Sequence, residues 1–280
     1  MDTVRIFSED SIPHLQICAA SCVGDRKRQQ DNMSHKKYGD DFLGVVCDGM
    51  GGMSAGEIAS SAAIDTLMEY ADCEMPLQDP PEFLKKAAIR MDEHVASLLN
   101  IKGEKLQAGT TAVVVYITGS SLYWMSVGDS KIYIIRNHEM VQVTRPHNYQ
   151  LLLEQSLSDG SISQEEYEKE SARKEALISY LGMDGLRMMD LTQQPFELHV
   201  GDVVLLCSDG LYKSLKDEEI QNLIEVCEDN FMKTADVLID MAMEYGRGPL
   251  DNCSVLLVKY SGMKLDKMRV GGKSDEIKEV

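Results

Sequence analysis

A chain of 280 residues is long for one domain, yet within the range of a single mixed α/β or β-sandwich enzyme. Hydrophobic residues make up 44% and charged residues 26%, ordinary globular proportions. The formal charge of -18 argues against nucleic acid and anionic membrane surfaces as partners; it also suits a protein that collects divalent cations, but such an excess is usually just a solvated surface, and the charge alone decides neither.

The start, Met1-Asp2-Thr3-Val4-Arg5, has no basic region followed by an apolar core, so no signal peptide is expected. No run approaches the roughly 18 apolar residues of a membrane span. Seven cysteines are scattered through apolar surroundings, and Cys18 and Cys22 lack the spacing of a zinc knuckle. Reduced thiols in a cytoplasmic protein are the expectation.

The first strand is expected from Leu15 to Cys22, ending at Gly24. A polar loop follows, Asp25-Arg26-Lys27-Arg28-Gln29-Gln30-Asp31-Asn32, and then a strand from Phe42 to Asp48. Asp48 is read as a carboxylate aimed from a strand end. The glycines at 49, 51 and 52 would let the backbone approach whatever it binds. Arg26 and Asp31, from the loop, could share that cleft.

Ser54 with Glu57 three residues on reads as a capping box, opening a helix to about Tyr70. Pro80-Pro81 starts a second helix, with Phe83, Leu84, Ala87, Ala88, Met91, Val95 and Leu98-Leu99 on a core face. The period then changes. Gly109 to Ile117 reads as one central strand, followed by Leu122 to Val127 and Lys131 to Arg136, with Gly128-Asp129-Ser130 between the last two. Asn137-His138 reads as a hairpin turn. Short consecutive strands favour antiparallel sheet over βαβ repeats.

From Arg145 to about Gly185 the pattern loosens into polar helical pieces, one opening at Ser163-Gln164-Glu165-Glu166: a surface excursion or a flap over a site. Val203 to Cys207 then runs into Ser208-Asp209-Gly210-Leu211, the strand-Asp-Gly design of Asp48 again. Helices near Glu218 to Val226 and Met232 to Tyr245 precede Asp251-Asn252 and a last strand from Cys253 to Val258. The polar tail from 261 to 280 lacks periodicity and is expected to be disordered. Singly, each aspartate is a turn signal. Together, Asp48, Asp209 and Asp251 border apolar strands, and gathered carboxylates need cations; all-oxygen ligation selects Mg²⁺ or Mn²⁺.

Six motifs in order carry a resemblance: Gly24-Asp25-Arg26 leading to Asp31, Asp48-Gly49-Met50-Gly51-Gly52, Gly109-Thr110-Thr111-Ala112, Val127-Gly128-Asp129-Ser130, Ser208-Asp209-Gly210-Leu211 and Asp251-Asn252. The chain resembles bacterial-type metal-dependent serine/threonine protein phosphatases of the PPM, or type-2C, family over about residues 14 to 260. The resemblance implies an α+β fold, a four-layer α-β-β-α sandwich of two antiparallel sheets flanked by helices. It implies one domain over 1–260, with the flap at about 145–185 and the tail at 261–280. By the same resemblance, Asp48 bridges two Mg²⁺ or Mn²⁺ ions, the Gly49 carbonyl ligates one, and Asp209 and Asp251 hold the other. Asp31 binds or orients a metal-activated water, and Arg26 grips the substrate phosphate.

Three departures stand out. Met50 occupies a position where many eukaryotic members have a histidine, leaving no group named to protonate the leaving alkoxide. Gln30 replaces an acid found in some relatives. Lys213 stands where some relatives have an aspartate, so a third cation on Asp129 and Asp209 is left open. The implied partners are phosphorylated Ser/Thr proteins and a cognate kinase, with the protein a cytoplasmic monomer; the alternative is a catalytically silent relative that keeps the fold as a binding module.

Overall fold

The computed structural model describes residues 5–52, 54–246 and 248–262, with side chains described from residue 12 onward. The tail expected at 261–280 therefore lies outside the described residues beyond Gly262. In chain order the first elements are strands β1 (Arg5–Ile12), β2 (Leu15–Cys22), β3 (Asp31–Tyr38) and β4 (Asp41–Gly51), then helices α1 (Ala55–Glu74) and α2 (Pro80–Ser97). Next come β5 (Ala108–Thr110), β6 (Ala112–Thr118), β7 (Ser121–Val127), β8 (Lys131–Arg136) and β9 (Glu139–Gln142), followed by α3 (Tyr149–Ser158) and α4 (Gln164–Glu170). After β10 (Asp190–Leu191), β11 (Phe196–Glu197) and β12 (Val203–Cys207) come α5 (Asp209–Ser214), α6 (Asp217–Val226), α7 (Thr234–Tyr245) and β13 (Cys253–Tyr260).

One sheet runs β1-β2-β13-β12-β8-β9, the other β10-β7-β6-β4-β3, with β11 on β7 and β5 on β4. Every pairing is antiparallel. Strand alternation sorts side chains into layers. Val204 and Leu206 of β12 join Ile17, Phe42, Val113 and Val115 in a core between the sheets. Their neighbours Val203, Leu205 and Cys207 point the other way, against Ile220 and Ile224 of α6 and Leu238 and Ile239 of α7. On the opposite flank Leu43, Val45 and Cys47 pack under Ala63 and Leu67 of α1 and Leu84 and Met91 of α2. The result is the expected α-β-β-α sandwich. Strands covered on both faces read as continuous apolar runs rather than as alternation.

Several local expectations are corrected. Asp31 is not on a loop: it opens β3, a strand whose polar sequence reflects its place at the sheet edge. Asp48 is not at a strand end, because β4 continues to Gly51. The single strand expected over 109–117 breaks at Thr111, yet the register is unchanged across the break. Val46 faces Val113 and Gly49 faces Thr110, so Thr111 stands opposite Asp48. Asp209 opens a helix, α5, and so does not repeat the in-strand setting of Asp48. Ser54 caps α1 without a side-chain hydrogen bond, its φ of -102° and ψ of 11° lying outside the extended region a capping hydroxyl needs. The box at Ser163 and Glu166, by contrast, forms in full. Helix α2 stops at Ser97, leaving Leu99 60% exposed instead of in the core.

Candidate metal centre

The register of β3 against β4 sets Asp31 directly opposite Asp48. Like charges so placed repel, with Asp31 buried and Asp48 half-buried. Burial, then the charge of Asp31 and of Asp209, Asp129 and Asp251, pushes the Asp48 carboxyl well above the usual range. Asp31 is pushed up to about 7, chiefly by burial, with the charges of Asp209 and Asp251 adding to it and hydrogen bonds from Ser208 and Ser254 opposing it. Ser208 Oγ donates to Asp31 Oδ2 at 2.6 Å, while Oδ1 is buried with no hydrogen-bond partner. A buried carboxylate oxygen left without a donor is costly unless something positive reaches it.

The position of Asp48 is held through its backbone. Its N–H donates to Thr111 Oγ1 at 2.9 Å, and its carbonyl accepts from the Thr111 N–H at 2.8 Å and from Thr110 Oγ1 at 3.0 Å. The Thr111 hydroxyl stands in for a main-chain carbonyl, which is why the strand assignment breaks there. Gly49 has to be glycine: a Cβ would lie 2.1 Å from the Gly56 carbonyl oxygen, at the turn into α1. The Gly49 N–H donates to the Gln30 carbonyl, tying β4 to the loop before β3.

The other sheet contributes Asp209, after β12, and Asp251, before β13, which meet at one end of the sandwich because those strands are antiparallel neighbours. Asn252 fixes the Arg26 loop beside them: its Oδ1 accepts from the Gln30 N–H at 2.8 Å, and its Nδ2 donates to the carbonyls of Val23 and Arg28. Gly24, at φ +61°, lets that loop pass the Leu250 and Asp251 carbonyls at a distance no Cβ would permit. Arg26 reaches the edge, but its guanidinium rests on Asp251 Oδ2 at 2.5 Å, with the arginine side chain 59% exposed.

Asp129, between β7 and β8, is buried and pushed up to about 6 by that burial and by Asp209, with Lys213 opposing. Lys213 Nζ lies 2.7 Å from Asp209 Oδ2 and 3.3 Å from Glu175 Oε2 of the 145–185 insertion. His147, from the same insertion, accepts from the Gly128 N–H at Nδ1 and donates its own N–H to the Gly128 carbonyl, clamping the residue before Asp129. The cysteines take no part in this chemistry. Cys47, Cys207 and Cys253 are fully buried, and burial raises their thiols, Cys207 to about 12.

All five expected acids thus interact electrostatically at one edge, fed by both sheets. Among the described residues no three acidic, histidine or cysteine side chains already close a cage around one point. The donor set nonetheless fits hard divalent cations. It consists of carboxylates and one carbonyl, with mutual repulsion that cations would relieve and an orphaned buried oxygen on Asp31. Reading the sequence passed over the supporting roles of Thr110, Thr111, Ser208 and Asn252. Each lies inside a motif already singled out, but nothing in spacing alone tells a backbone clamp from a turn residue.

A family model described as Protein phosphatase 2C matches residues 10–156, more than half of the chain. The chain belongs to the protein phosphatase 2C family. Within that family it is similar to the "Serine/threonine phosphatase stp" of Listeria monocytogenes, at 30% identity over 218 residues, covering 77% of this chain and 83% of that protein. Among solved structures, the Mycobacterium tuberculosis serine/threonine phosphatase PstP/Ppp superposes with a TM-score of 0.72 at 29% identity, over 89% of this chain and 99% of that one. The catalytic domain of PstP in complex with two manganese ions superposes with a TM-score of 0.69 at 27% identity, over 88% and 98% of the two chains. The phosphatase 2C sandwich implied by the six motifs is therefore the one this chain adopts.

Proposed function

We propose that the acidic edge hydrolyses phosphoserine and phosphothreonine monoesters in proteins, with Mg²⁺ or Mn²⁺ as cofactor. The chain is a metal-dependent serine/threonine protein phosphatase. The observation that carries this reading is the meeting of Asp31 and Asp48 from one sheet with Asp209 and Asp251 from the other, the carboxyls of the first pair both pushed up by burial and by their acidic neighbours.

In this reading Asp48, the Gly49 carbonyl, Asp209 and Asp251 hold the ions. Bound cations supply Lewis acidity, lowering the pKa of water and offsetting charge on the phosphoryl oxygens. Asp31 Oδ1, which has no donor among the described residues, accepts a hydrogen bond from the attacking water and orients it, while Ser208 fixes the other oxygen of that carboxylate. Arg26 leaves Asp251 to grip the phosphate, its planar guanidinium matching two phosphoryl oxygens. The raised thiols stay neutral and are not nucleophiles.

We assign the protein to the cytoplasm as a monomer opposing a serine/threonine kinase, with residues 1–260 as one catalytic domain. The supporting observations are the seven thiols, five of them buried, and the phosphatase names of its relatives. Among the described residues no helix is long and apolar enough to cross a membrane. The test is hydrolysis of p-nitrophenyl phosphate and of a phosphothreonine peptide: turnover appears with Mn²⁺ and disappears on chelation. Absence of turnover with every divalent cation overturns the reading in favour of a silent binding module.

A further inference from the structure

We infer that the Lys213 ammonium is itself the cation of the Asp129–Asp209 corner, so that this chain takes no third metal ion there, and that the same lysine ties the 145–185 insertion to the acidic edge through Glu175. The inference rests on the proposed reading of Asp48, Asp209 and Asp251 as metal ligands and adds to it.

Lys213 lies four residues after Asp209 in α5, a spacing that stacks the two side chains on one helix face. Its Nζ sits 2.7 Å from Asp209 Oδ2, with Asp209 only 14% exposed. The Asp129 carboxyl is buried, feels the Asp209 charge, and has Lys213 as the positive group acting on it. Of the other two lysines beside the same cavity, Lys131 and Lys174, Lys131 is turned over the Tyr212 ring at 4.0 Å, and the Tyr212 hydroxyl donates to the Asp129 carbonyl. A divalent ion held jointly by Asp129 and Asp209 would have to take the space of a tethered, positively charged group. Repulsion between the two opposes it.

The other side of Lys213 faces the insertion, where Glu175 Oε2 is 3.3 Å away. Asp129, Lys213, Glu175 and Asn148 together line a cavity of about 370 Å³ between insertion and sandwich. Asn148 caps α3 without a side-chain hydrogen bond, and its Oδ1 is buried and unpartnered there. The wall of this cavity thus meets the catalytic edge through an ion pair whose side chains are 42% and 65% exposed, a weak tether that does not depend on bound metal.

Equilibrium dialysis of the full chain against Mn²⁺ up to millimolar tests the first part. The wild type takes up two ions. Lys213→Asp takes up a third, which is lost again in the double variant with Asp129→Asn, whereas Lys213→Arg stays at two. Lys213→Met, similar in length and without a new charge, gives the same answer should the aspartate disturb α5: it admits the third ion. A third ion in the wild type, or no third ion in folded Lys213→Asp and Lys213→Met, overturns the inference. No bound ion in the wild type strikes the metal-centre reading instead. For the tether, limited proteolysis should cut the insertion several-fold faster in both Glu175→Gln and Lys213→Met than in the wild type; unchanged rates in both overturn that part.

Discussion

Two sets of buried and half-buried aspartates in this molecule have opposite surroundings. At the base of the insertion, Asp190 accepts from the Arg145 N–H at 2.7 Å and from its guanidinium at 2.7 Å and 3.2 Å, with His147 Nε2 at 3.6 Å. Burial works to raise its pKa, but the nearby His147 ring and the Arg145 hydrogen bonds override it and hold the carboxyl well below the usual range. Asp202 likewise accepts hydrogen bonds, from the Arg136 fork and the His199 N–H. At the acidic edge, Asp31 and Asp48 face each other, and burial and acidic neighbours push both carboxyls up. Where the chain supplies the donors, an aspartate braces the structure. Where it buries the acid and leaves it short, something from outside is expected to finish the site.

The strongest way to break this contrast is at the ligands. Asp209→Asn and Asp251→Asn should each lose roughly 10²–10³-fold in turnover, the scale of removing one charge-stabilising group from an active site. Their circular dichroism should show a native fold, and near wild-type rates in either variant would remove that residue from the metal centre. Asp190→Asn should do the reverse, destabilising the protein by about 1–3 kcal/mol through lost charge-assisted hydrogen bonds. Urea midpoints with the metal removed would measure it, and a neutral outcome would erase the distinction between the two regions.

The smallest effect is a pH dependence. In the metal-free protein the Asp31 carboxyl is pushed up to about 7 from an ordinary 3.8, so the folded state holds a proton that the unfolded chain has released. A raised folded pKa gives stability that is present below about 4 and lost as pH rises through about 7. Melting temperatures in chelator should therefore fall from pH 5 to pH 8, and the fall should be shallower in Asp31→Asn. Equal slopes would mean that Asp31 is not the strained acid. Added Mn²⁺ should reverse the loss at pH 8, where the carboxyl has already released its proton and the ions offset the carboxylate charge without competing against it.

Much of this architecture could be read from the chain. Apolar runs such as Val203 to Cys207 and Cys253 to Val258 stood out because burial on both faces demands them, and the helical stripe of Phe83 to Val95 followed from its period. The edge strand β3 escaped notice because, half exposed, it has no need of an apolar pattern. Capping showed the limit of local rules: Ser54 and Ser163 head the same motif, yet only Ser163 sits in the extended backbone geometry that lets its hydroxyl reach the helix.

The sequence by itself determined which acids this protein owns and that glycines and apolar strands flank them, since composition and period are local properties of the chain. The tertiary structure alone decided that Asp31 lies opposite Asp48, that Thr111 and Asn252 clamp their neighbours, and that Lys213 faces Asp209 and Glu175 at once. Those facts depend on register and on the packing of two sheets. They join residues as far as 229 positions apart, as Val23 and Asn252 are, and no spacing along the chain encodes such a meeting.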